Sequence, residues 1–191
     1  MSKPKTLLSI LVAAAASLSL LACSQSPEQI KAKKEEQLRK FCTQLSKHIL
    51  DRDPSTIKVS VNEMIHSELT EQARISLQAQ KVIPDTAIDV LKLISDSEVS
   101  KQVNVVEVTS VKPLGSLEKN DVQVLVTGKE VIKEQGKVVG TQPFSMTMTC
   151  RISPEAEGYT QLVDLKGFPA SRKMSMPVEA SGRSKKNRKR G

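Results

Sequence analysis

From residue 144 to residue 152 the chain alternates without a break: Phe144, Met146, Met148, Cys150 and Ile152 are apolar, while Ser145, Thr147, Thr149 and Arg151 between them are polar. Successive strand side chains point to opposite faces, so this stretch predicts a β-strand with one face in a core. Three more strands are read around it. Residues 103–111 are β-branched and partly alternating; Pro113, Gly115 and Asn120-Asp121 then punctuate the chain before a second apolar run at 122–133. Gln135-Gly136 reads as a turn, and residues 159–165 supply the last strand.

Upstream the period changes to that of helices. Ser26-Pro27-Glu28-Gln29 predicts a helix start, with Ser26 as N-cap, Pro27 in the first turn and Gln29 reaching back. Leu38, Phe41, Cys42, Leu45 and Ile49 recur at helical spacing, so one helix is expected over residues 27–50, with a polar first half through "KAKKEEQ". Asp53-Pro54 offers a second start, followed by Ile57, Val61, Met64, Ile65 and Leu69 at helical intervals. A third helix is expected at 84–94, with Ile88, Leu91 and Ile94 on its apolar side. Helices first and a four-stranded antiparallel meander afterwards predict an α+β domain, its N-terminal helices packed on one face of the sheet.

The N-terminus has a pattern of its own. Lys3 and Lys5 precede an apolar run from Leu7 to Leu20, and Ala22 gives a small residue before Cys23. A membrane-spanning helix needs about 20 apolar residues, so this shorter run reads as an export signal. Leu20-Leu21-Ala22-Cys23 resembles the lipobox of bacterial lipoproteins. The resemblance implies a signal peptide at 1–22, a diacylglycerol thioether on Cys23, cleavage before that residue, and a short lipidated tether at 23–26. Two or more acyl chains anchor a protein stably where one is marginal. Ser24, rather than an aspartate, follows the cysteine, which in the enterobacterial sorting pattern favours the outer membrane, facing the periplasm, over the alternatives of the inner membrane and the cell surface. The covalent lipid is the one prosthetic group expected; no cofactor is.

Charge then changes the picture of the C-terminus. The full chain carries 29 basic and 21 acidic residues. Losing Lys3 and Lys5 with the signal leaves a net +6. Residues 172–191 hold eight of the basic side chains against Glu179 alone, a net +7, so residues 23–171 sum to −1. The chain therefore reads as a near-neutral domain at 27–170 with a disordered basic tail at 171–191, too poor in apolar residues to offset its ordering entropy. Arg183, Lys185, Lys186, Arg188, Lys189 and Arg190 suit anionic lipid headgroups or another polyanion. The tail has no aromatic residue on which bases could stack, so specific nucleic-acid recognition is not expected.

Three cysteines divide neatly. With Cys23 taken by lipid, Cys42 on the core side of a helix and Cys150 on the core side of a strand are a candidate disulfide in an oxidising compartment, or else two buried free thiols.

Catalytic motifs are not found. His48 and His66 have no second His or Cys at metal-ligand spacing and read as surface or boundary residues. "VTGKE" at Gly128-Lys129 lacks the flanking glycine and the Ser or Thr of a phosphate loop. Asp51 and Asp53 read as caps, Glu155, Glu157 and Asp164 have no evident proton partner, and Met146 and Met148 read as core filling. The order of elements is similar to that of NTF2-like and cystatin-like domains, including the periplasmic VirB8-type domains of type IV secretion systems. Two functions follow as expectations: a non-catalytic envelope lipoprotein that takes part in an assembly with envelope protein partners, such as a secretion or conjugation apparatus, or a small ligand-binding or hydrolytic NTF2-like domain tethered to a membrane.

Overall fold

The computed structural model describes residues 26–153 and 159–174. The lipobox with Cys23 and the charged run from Arg183 to Arg190 lie outside them, as do Glu155 and Glu157. The chain divides into two units, Met1–Lys34 and Glu35–Gly191.

The first helix, α1 (Pro27–Ile49), starts in the first unit as its sequence dictates: Ser26 Oγ accepts from Gln29 N at 3.2 Å and Gln29 Oε1 accepts from Ser26 N at 3.0 Å, a reciprocal cap. In the second unit α1 buries Leu38, Cys42, Leu45 and Ile49, a stripe at intervals of three and four. Then follow α2 (Ile57–Glu63), a π-helical turn at Met64–Glu68, α3 (Glu71–Ala79) and α4 (Ala87–Ser100). Asp53 does not cap α2. Its carboxylate accepts from the backbone N–H and hydroxyl of Ser55, and the helix begins after Thr56. The apolar series from Ile57 to Leu69 is not one α-helix either: the π turn carries the chain to Leu69, which forms an isolated bridge with Leu162.

Four strands, β1 (Gln102–Pro113), β2 (Asp121–Glu134), β3 (Lys137–Ile152) and β4 (Thr160–Lys166), form an antiparallel meander in the order β1-β2-β3-β4, so the fold is α+β. Phe144, Met146, Met148, Cys150 and Ile152 are all buried, as the alternation requires. β3 also begins earlier than that stretch, because β2 and β3 meet in a two-residue turn whose Gln135 and Gly136 have φ of 48° and 80°; the twist of paired strands favours such left-handed turns. Gly128 interrupts β2 because Phe144 lies over it: a Cβ there would sit 2.4 Å from the Glu107 carbonyl oxygen and 2.6 Å from the Phe144 ring. Leu38, Cys42, Leu45, Met64 and Leu77 from the helical side share one core with Val124, Met146, Met148 and Leu162 from the sheet.

Helix α3 is not among the expected elements. Its two buried side chains, Ala73 and Leu77, make too short a stripe to be seen as a period, and Ile75 is exposed. Thr70, whose hydroxyl accepts from Ala73 N, is the start signal that a search for caps would find. Helix α4 is present but displaced and turned. It starts at a Thr86–Asp89 capping box rather than at Pro84 and continues to a left-handed cap at Lys101. Two of the three residues of the expected apolar side face outward, Ile88 at 76 % and Leu91 at 66 % exposure, while Ile94 is half-buried; the one buried residue of α4 is Ser97. The side that packs against α2 and β1 is the one carrying Leu93 and Ser97, with the small serine allowing close approach.

Candidate functional site

A recess of the second unit has a volume of about 230 Å³. It is walled by one side of α4 (Asp89, Lys92, Asp96, Ser97), by the first residues of β1, by Arg52 from the α1–α2 connection, and by Ser171–Met174. Alternation places a charge behind its wall. Val122, Val124 and Val126 point into the core from β2, and Glu130, at the same parity, follows them to 0 % exposure.

A buried carboxylate needs partners. Glu130 Oε2 accepts from Asn104 Nδ2 of β1 and from Arg172 Nη2, both at 2.9 Å. Glu130 Oε1 and Arg172 Nε, also buried, have no protein partner among the described residues. The segment that delivers Arg172 is pinned on both sides. Gln142 Nε2 donates to Ser171 Oγ at 3.1 Å, Met174 N donates to the Lys81 carbonyl at 2.9 Å, and residues Ala170–Arg172 form a 3-10 turn. Arg172 and Lys173, which the charge count places in the tail, therefore belong to the packed domain. Arg52 completes the group: its guanidinium donates to the carbonyls of Asp51 and, at 3.0 Å, of Arg172. Burial, and after it the Arg172 guanidinium, holds Arg52 below the usual arginine range.

The two core cysteines are brought together. Their sulfurs lie 3.7 Å apart, unbonded, and both residues are 0 % exposed. The contact with the Cys42 thiol, followed by burial, pushes Cys150 well above the ordinary thiol value, so it is not a thiolate nucleophile. Neither histidine joins the recess. His66 is exposed, but His48 is more than a boundary residue: its side chain is 15 % exposed, with Nδ1 at 2.9 Å from Glu68 Oε2 and Nε2 at 3.4 Å from Glu63 Oε2. The π turn is what puts the buried Glu68 beside it. Among the described residues no group of three or more His, Cys, Asp or Glu is placed to hold a metal ion.

The hydrogen bond to Glu68 raises the His48 pKa above its ordinary 6.5, against burial, and the charges of Glu68 and Glu63 add to it. A raised folded-state value means that the folded form holds the proton more tightly than the unfolded chain. The stability His48 contributes is thus complete below about pH 6.5 and is lost as the pH climbs through the raised value. Urea midpoints measured between about pH 5.5 and about pH 9 should fall through that titration, and His48→Gln should flatten this part of the curve.

No protein-family model matches the chain, and no curated protein matches it. Among solved structures, one described as a periplasmic fragment of TraM is similar with a TM-score of 0.46 and 11% sequence identity, over 68% of this chain and 93% of that one. Among the described residues no helix is long and apolar enough to cross a membrane.

Proposed function

We propose that this chain is a membrane-anchored envelope lipoprotein that acts as a non-catalytic assembly component, of the kind found in secretion or conjugation machinery. The lipobox pattern at Leu20-Leu21-Ala22-Cys23 supports the anchor, and the outward face of α4 carries the assembly role. At 100° per residue, Ile88, Leu91, Ser95 and Val99 fall within an arc of about 80° along this 14-residue helix. Ile88, Leu91 and Val99 are 76 %, 66 % and 80 % exposed. Scattered single apolar side chains on a surface are ordinary, whereas apolar side chains aligned along one helix face, here interrupted by Ser95, are the form in which proteins present a groove-binding face. The opposed, hydrolytic reading needs a cavity between helices and sheet. That space holds Leu45, Met64, Met146, Met148 and Leu162, each at most 1 % exposed.

In this reading Cys23 carries the lipid, and the outer membrane facing the periplasm is its site. Arg183 to Arg190 add an electrostatic contact with anionic headgroups or another polyanion, and the partners on α4 are envelope proteins. The test is a photo-crosslinking residue at Leu91 in the full-length protein expressed in its own envelope. Discrete adducts with another envelope protein are expected, absent when Ile88→Glu is added, while the unfolding free energy changes by no more than about 0.5 kcal/mol because the site is exposed. Absence of adducts, or adducts that survive the added charge, would remove the assembly reading. Cys23→Ser should leave an unprocessed precursor that no longer labels with palmitate; normal processing of that variant would remove the anchor.

A further inference from the structure

The geometry points to the recess between α4 and the Ser171–Met174 segment as a binding site for a small solute bearing an oxyanion, a carboxylate or a phosphate. This site is separate from the outward face of α4 and does not depend on the role assigned to that face.

The case rests on cations that make no direct ion pair within the described residues, although the charges of Glu130 and Asp51 act on Arg52. Four basic side chains line the recess, Arg52, Lys92, Arg172 and Lys173, against two acidic ones, Asp89 and Asp96. Arg172 is matched by Glu130 behind it. Asp89 is occupied at the helix start, where its Oδ2 accepts from Asp85 N, Thr86 N and the Thr86 hydroxyl. Arg52 bonds to two main-chain carbonyls and to no carboxylate, and Lys92 and Lys173 form no ion pair among the described residues. One guanidinium and two ammonium groups thus face a concave space that holds two acidic side chains, Asp96 and the Asp89 engaged at its own helix start.

Taking a guanidinium out of water without an anionic partner is unfavourable, and an arriving oxyanion removes that penalty. A guanidinium fork matches the paired oxygens of carboxylate and phosphate alike, which is why the shared chemistry is what the site defines. Size restricts the solute further. About 230 Å³ is below the roughly 300–1,000 Å³ of pockets for drug-sized ligands, so the fit is to one oxyanion with a few attached carbons. Hydroxyls of Ser97, Ser100 and Ser171 and the amides of Gln102 and Asn104 line the same walls and can read what is attached. The wall contains no aromatic side chain, which excludes stacking of a base or sugar face as the recognition mode.

The experiment is a titration of the full-length protein, solubilised with its anchor, with inorganic phosphate in one arm and acetate in the other, at low ionic strength, followed residue by residue through amide NMR shifts. Saturable shifts at Ser97, Ser100, Gln102 and Asn104 are expected. Phosphate alone producing them assigns the site to phosphate-bearing solutes, acetate alone to carboxylates, and both to either. The double variant Lys92→Ala/Lys173→Ala changes two exposed side chains, so the fold is retained, and it should weaken binding about tenfold. Arg52→Gln should abolish the shifts; because it also removes buried hydrogen bonds, the double variant carries the decision if Arg52→Gln does not fold. Shifts confined to other basic residues, no saturation with either anion, or equal affinity in the double variant would overturn the proposal.

Discussion

Arg172→Ala should destabilise the domain by about 3 kcal/mol or more, because it leaves the Glu130 carboxylate at 0 % exposure with Asn104 as its one partner. For a domain of this length that corresponds to a fall in melting temperature of roughly 6–12 °C. The same change removes one of the two side-chain links from the last described residues to the sheet, leaving Gln142–Ser171. A double replacement, Glu130→Met with Arg172→Met, should recover most of the loss, since two apolar groups of similar length need no partners. Thermal melts of the two variants side by side check this. A single variant that melts within 2 °C of the parent would mean that the pair contributes nothing.

The second large effect concerns the core sulfurs. Closing a disulfide between Cys42 and Cys150 needs the sulfurs to move from 3.7 Å to about 2.05 Å, less than a rotamer change, with both thiol protons and two electrons passing to an external oxidant. The loop closed would be roughly 100 residues, worth about 4.7 kcal/mol in the chain-entropy account. Protein recovered from an oxidising compartment should therefore melt ten degrees or more above its reduced form. It should resist alkylation after unfolding without reductant, and Cys42→Ala and Cys150→Ala should abolish the difference alike. Complete alkylation of the unreduced protein at both positions would establish two free thiols.

The parts of the fold legible in the sequence are those where one face is apolar and the other polar. β3 alternates over nine residues, α1 repeats its stripe from Leu38 to Ile49, and Gln135-Gly136 marks the hairpin that joins β2 to β3. Helix α3 was not legible because two buried side chains do not make a period. Helix α4 was legible as a helix but not in its orientation. The rule that an apolar stripe faces the core fails on this helix, where Ile88, Leu91 and Val99 are exposed and Ser97 is the residue packed inside.

Less of the candidate recess could be read. Arg52, Arg172 and Glu130 lie far apart in sequence, and none sits in a motif. Composition alone places Arg172 with the tail, because it assigns a basic residue to its neighbours. Glu130 did leave a signal: a charge at the inward parity of β2, which is rare without a buried partner. The same test applied to Asn104, inward on β1 at 8 % exposure, adds a second of the four members of the cluster.

The meander sets an order of events during synthesis. Every sheet pairing joins neighbours in sequence, so the β2–β3 hairpin can close as soon as it is made. The stripe of α1, by contrast, is covered by β3 and β4, which are completed more than a hundred residues later. At about 5–20 residues per second the ribosome needs roughly 5–20 s to supply them. For that interval Leu38, Cys42 and Leu45 have no sheet to lie against. A nascent helix in this condition carries exposed apolar surface of the kind that favours aggregation until the sheet arrives.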